Sequence, residues 1–140
     1  MSSGFVHLHT HSSYSPMWGI PTLEALCQAA RTQGQDRLAL TDTNGLYGAI
    51  RFLEVAKHEG LKPILGAELV HKAHRAVLLA KTPAGYANLC RLLSARHEES
   101  TFDFIAAVAG YRAGLIILSD DLSALKAWRK DSPKDLYVEL

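Results

Sequence analysis

Short apolar runs alternate with helix-period stripes along this chain, and that order restricts the fold more than any other feature. Phe5–His9, Leu38–Thr41, Pro63–Val70, Arg75–Ala80, Leu115–Leu118 and Leu136–Leu140 read as strands. Leu38-Ala39-Leu40 is apolar throughout, as suits a strand buried on both faces of a parallel sheet. Between the strands, apolar residues recur at i, i+3, i+4 and i+7, the signature of a helix with one buried face. Leu23, Leu26, Cys27 and Ala30 form the first such stripe, with Thr22 as N-cap and Gly34 as the stop. Ala49, Phe52, Leu53 and Ala56 form the second, on a helix from Ala49 to Glu59 closed by Gly60. Thr82-Pro83 opens a third helix, with Tyr86, Leu89, Cys90 and Leu93 on its apolar side. Phe102, Ile105, Ala106 and Ala109 mark a short helix closed by Gly110, and Asp121–Lys130 a last one. Strand followed by helix, repeated about every 25–35 residues, predicts an α/β fold with mostly parallel strands.

The polar residues gather just after these strands. His9 and His11 follow the first, Asp42, Thr43 and Asn44 the second, and Glu68 stands near the end of the third. In α/β barrels, the C-terminal rim of the strands carries the active site. His7, His9 and His11 alternate with other residues, so in strand geometry their side chains would share one face. Imidazoles with a carboxylate are transition-metal ligands. Glu68 sits in the apolar run Leu65-Gly66-Ala67-Glu68-Leu69, where a lone carboxylate is costly unless paired or bound to a cation. His9, His11 and Glu68 are therefore the expected metal ligands, and His7 and His97 are further candidates. His7 could instead hold a ligand in place. Asp42 is the one candidate for a catalytic group, against the alternative of an Asx turn that satisfies its own backbone. His71 and His74 read as surface histidines.

Composition closes off several other classes. The chain has 140 residues, 48% of them hydrophobic, enough for one core. With 15 basic and 14 acidic residues the net charge is +1, which gives no electrostatic footprint for direct nucleic-acid binding. Cys27 and Cys90 fall on apolar helix faces and read as buried thiols in a reducing compartment. Without a signal peptide or a long apolar run, a soluble cytoplasmic protein that does not enter a membrane is expected. No P-loop, Gly-rich dinucleotide fingerprint, Gly-x-Ser-x-Gly elbow or zinc-finger cysteine spacing occurs.

The stretch from Phe5 to Ser15, Phe-Val-His-Leu-His-Thr-His-Ser-Ser-Tyr-Ser, resembles the opening of the PHP (polymerase and histidinol phosphatase) domain of bacterial DNA polymerase III alpha subunits and their error-prone relatives. Ala39–Asp42 with Gly45–Ala49, Leu61–Glu68, Leu78–Lys81 with Gly85–Leu93, and Gly114–Ser119 resemble later blocks of that family, in order. The resemblance implies a distorted β/α barrel of the TIM-like kind. Complete members bind up to three metal ions and can hydrolyse phosphoesters. It also implies that His9 and His11 match the His-x-His ligands and that Glu68 matches a bridging carboxylate. Thr43 stands where many members have histidine, and Trp18 where many have aspartate. Both departures fall on the metal cluster.

These features set the expectations. The chain should be one domain, the N-terminal part of a PHP barrel cut short at Leu140, since complete barrels of this kind are roughly twice as long. It should belong to a polymerase acting in DNA replication or repair, with the rest of the polymerase chain as its partner and other replication subunits as further candidates. Zinc or manganese is the expected ion, at a degenerate site with little phosphoesterase activity. The alternatives are a free-standing phosphoesterase of the histidinol-phosphatase kind and a docking remnant without metal.

Overall fold

The computed structural model describes residues 4–140. The elements run α1 (Leu23–Thr32), β1 (Arg37–Leu40), α2 (Ala49–His58), β2 (Lys62–His71), β3 (His74–Ala80), α3 (Pro83–Glu98), α4 (Phe104–Tyr111), β4 (Leu115–Ser119), α5 (Leu122–Asp131) and β5 (Leu136–Val138). The strands form an open, mixed sheet in the order β1-β2-β3-β4-β5. Pairing is parallel at β1–β2 and β4–β5 and antiparallel at β3–β4. The reversal begins where β2 passes into β3 through Lys72 and Ala73 alone, a link too short for a parallel crossover. Lys72 takes a positive φ of 54° to make it.

By internal packing the chain divides into two compact units, residues 1–67 and 68–140, with the division falling inside β2. In the first unit, Leu23, Cys27 and Ala30 of α1 pack with Leu38 and Leu40 of β1 and Phe52, Val55 and Ala56 of α2. The expected stripe is displaced slightly. Val55 is buried, whereas Leu26 only flanks the core. Thr22 caps α1 by accepting from Ala25 N–H, and Gly34 and Gly60 end their helices at positive φ. Leu40 pairs with Leu65 in parallel register.

In the second unit the buried side chains include Leu78, Leu89, Leu92, Phe104, Val108, Ile117 and Trp128. Trp128 Nε1 donates to the Ile105 carbonyl at 2.9 Å, so its one polar atom is satisfied inside the core. The short helix differs from expectation. Its inward residues are Phe104 and Val108, Asp103 caps it, and Gly110 lies within it instead of closing it. Phe102 is buried ahead of the helix.

The first expected strand is corrected too. Residues 5–8 carry no strand assignment, though the segment lies beside β1. Ala39 N–H donates to His7 O at 3.1 Å and Thr41 N–H to Thr10 O at 2.9 Å. The donors are two residues apart and the acceptors three. That extra residue breaks the period-2 alternation on which a shared face for all three histidines depended.

Candidate metal centre

His9 and His11 stand on the loop that follows the irregular opening segment. Their rings meet edge to face, with centroids 5.1 Å apart and planes at 82°. His7 turns elsewhere. Its ring packs edge-on against Phe5, and it lines a shallow groove with Thr10, Leu26, Ala29 and Leu38. His7 and Thr10 thus share the side facing α1, as the extra residue between them requires.

The loop beyond His11 is tied down by Asp42, which is buried just past the end of β1. One carboxylate oxygen accepts from Ser12 N–H at 2.7 Å and Ser15 Oγ at 2.6 Å, and the other accepts from Ser12 Oγ at 2.8 Å. Ser15 Oγ in turn accepts from Thr43 N–H at 2.9 Å, and Ser12 Oγ from Tyr14 N–H at 3.1 Å. Thr10 adds a second tie, because its N–H donates to Thr41 Oγ1 at 2.8 Å and its hydroxyl donates to the Ala39 carbonyl. Three of the roughly four acceptor positions of Asp42 are therefore committed to holding the loop. The candidate catalytic carboxylate has an anchoring role. Ser12 and Ser15 join the site only in the folded chain. The signal for them was a pair of hydroxyls three residues apart directly after the histidines.

Glu68 lies well inside β2, not at its end, and its residue is only 4% exposed. His9, His11 and Glu68 each offer one ligand atom, and these atoms lie within 4.8 Å of one another. Ligands at about 2.0–2.2 Å from a tetrahedral ion stand about 3.5 Å apart, so small side-chain adjustments suffice. Two imidazoles and a carboxylate suit a divalent transition metal and leave coordination positions open for water or a phosphoryl oxygen. His97, a further candidate, is an exposed residue in the last turn of α3, not beyond the helix.

Of the two unusual positions, Trp18 lies on the histidine loop and Thr43 in the turn after β1. Trp18 presents its ring to His11, with centroids 6.5 Å apart and planes at 77°. Thr43 uses its backbone N–H to support Ser15. Arg75 is a further residue that the fold brings to Glu68. Its Nε lies 3.7 Å from Glu68 Oε1, while its terminal nitrogen bonds Asp120 Oδ2 at 2.6 Å.

The fold thus presents a His-x-His loop and a buried strand glutamate on a mixed α/β sheet. The chain belongs to the PHP domain family, whose profile matches residues 7–132. It is similar to the error-prone DNA polymerase of Symbiobacterium thermophilum, at 47% identity over 94 residues, which is 66% of this chain and 9% of that polymerase. It is also similar to DNA polymerase III subunit alpha of Treponema pallidum, at 35% identity over 140 residues, 85% of this chain and 12% of that one. The chain thus spans about a tenth of the length of these relatives. Among solved structures, a protein of Bifidobacterium adolescentis described as a candidate metal-dependent phosphoesterase shares the fold. Its TM-score is 0.64 at 13% identity, covering 99% of this chain and 78% of that one. No helix among the described residues is long and apolar enough to cross a membrane.

Proposed function

We propose that this chain is the N-terminal part of the PHP domain of a DNA polymerase III alpha-type polymerase, that it binds one divalent ion, and that it turns over phosphoesters poorly. The observation that carries the reading is the clustering of His9, His11 and Glu68 in a chain 35% identical to a polymerase III alpha subunit across 85% of its length. His9, His11 and Glu68 hold the ion, with zinc or manganese the favoured metals on ligand chemistry. Bound there, the ion would polarise a phosphoryl oxygen and lower the pKa of a coordinated water. Around it, Asp42, Ser12 and Ser15 fix the loop so that both imidazoles are held in place. Several ions acting together make an efficient phosphoesterase, and Thr43 and Trp18 supply no ligand for a second one. The partner is the remainder of the polymerase chain, with other replication subunits as further candidates, and the setting is DNA replication or repair in the cytoplasm.

The test combines metal content with hydrolysis. Purified protein should hold close to one equivalent of zinc or manganese, lost in His9→Ala, and should show little hydrolysis of p-nitrophenyl phosphate with either metal added. Robust turnover abolished by His9→Ala would favour a working phosphoesterase instead. Absence of any bound metal would favour a docking role.

A further inference from the structure

The chain from Ser12 to Pro21 closes into a compact loop. Ser13 N–H donates to Pro21 O at 2.9 Å and Ser15 N–H to Ser12 O at 2.9 Å. The N–H groups of Trp18 and Gly19 both donate to Ser15 O, at 3.1 and 3.0 Å. Ser12 and Ser15 are in turn held by Asp42. A loop whose ends meet in this way keeps its own residues in place. The backbone of Trp18 is thus fixed beside His11, while its side chain stays largely in solvent, the residue being 69% exposed. His11 meets two rings edge to face, that of His9 at 5.1 Å and that of Trp18 at 6.5 Å. Both separations fall in the range where aromatic rings attract one another in this geometry.

We propose that Trp18 is a positioning residue for the ion, its indole holding the His11 imidazole in the orientation that ligates. The inference rests on the reading of His9, His11 and Glu68 as a metal centre. Groups that orient a ligand imidazole raise metal affinity, because less side-chain freedom is lost when the ion binds. Trp18 acts from outside the core, so removing it costs affinity for the ion and leaves the metal-free fold as stable as before. Phenylalanine at this position keeps an aromatic ring against His11, and alanine does not. The placement also makes Trp18 a reporter of the ion. The sequence holds two tryptophans, and the other, Trp128, is fully buried in the second unit.

The experiment compares wild type, Trp18→Ala, Trp18→Phe and His9→Ala, each stripped of metal. Calorimetric titration with Zn²⁺ gives Kd, and thermal melts without metal give stability. Trp18→Ala should bind about two- to tenfold more weakly than wild type, the range that one edge-to-face ring contact supplies, with an unchanged metal-free Tm. Trp18→Phe should restore most of the affinity. Co²⁺, which quenches tryptophan emission at short range, should quench the solvent-exposed part of the emission in wild type. That quenching should be lost in Trp18→Phe, which still binds, and in His9→Ala, which does not. If wild type binds Zn²⁺ and Trp18→Ala matches it in Kd, the role of Trp18 is overturned and the metal centre stands. A lower metal-free Tm in Trp18→Ala that Trp18→Phe does not restore would assign the residue to the fold of the loop, and would overturn the inference equally. If wild type binds no ion, the metal centre falls and this inference falls with it.

Discussion

Ser15 Oγ donates a 2.6 Å hydrogen bond to Asp42 Oδ1, and both residues are buried. With the bonds of Ser12 and Thr10, this contact joins the histidine loop to the end of β1. It gives the acidic residue of the Thr41-Asp42-Thr43 turn an anchoring role and ties the position of the loop to β1.

Asp42→Ala should therefore be severe. It strands the Ser12 N–H, Ser12 Oγ and Ser15 Oγ donors in a buried site. A loss on the order of 3 kcal/mol is expected, with a fall in bound metal as the histidine loop loosens. Urea unfolding and metal analysis check this, and unchanged stability would refute the anchoring role.

Gly19 approaches the same loop closely. A Cβ there would lie 1.9 Å from Ser12 O and 2.6 Å from Ser12 C, both backbone atoms that cannot rotate away. Gly19→Ala should cost about 1–3 kcal/mol and weaken metal binding. Gly110→Ala is the control. Nothing lies within 4 Å of a Cβ at that position in α4, and the change should stabilise by up to about 1 kcal/mol.

Asp121 makes stability depend on acid. Burial pushes its carboxyl up, but hydrogen bonds from Ser123 and His74 and the Ala124 N–H outweigh this and hold it down to about 2 from 3.8. A carboxyl whose pKa is lower folded than unfolded stabilises the fold above the unfolded value. That contribution should be complete above about pH 4 and fade as pH falls toward 2. Asp121→Asn keeps a competent helix cap but removes the charge. Its stability deficit in denaturant should be on the order of 2 kcal/mol at neutral pH and should shrink in acid. A deficit independent of pH would sink the idea.

Cys27 is fully buried, and its thiol is pushed up to about 11 by desolvation first and by Glu59 and Glu24 after it. It should react with a thiol reagent such as DTNB only once the protein unfolds, while Cys90, partly exposed, reacts in the native state. Equal native reactivity of the two would contradict the packing of α1.

Local signals carried much of the fold. Thr22, Thr82-Pro83 and Asp121 start helices where capping chemistry puts them, because a cap depends on a few neighbouring residues. Errors arose where distant partners decide. Leu53 was placed in the α2 stripe by period, yet Val55 is the buried residue, since the core neighbours select which rows face inward. The antiparallel pairing of β3 with β4, an exception within the expected α/β sheet, is also set by partners distant in sequence.

By itself, the sequence determined the strand–helix order from α1 onward, the caps and the candidate ligand set His9, His11 and Glu68, because these follow from residue type and spacing along one chain. Tertiary structure decided which residues meet. The extra residue between His7 and Thr10, set by hydrogen bonds to β1, separates His7 from His9 and His11. Asp42 became an anchor because Ser12 and Ser15 fold back onto it, and Arg75 reached Glu68 because β3 turns back after Lys72 and Ala73. Such outcomes depend on hydrogen bonds and charges brought together from distant positions, and no local periodicity encodes them.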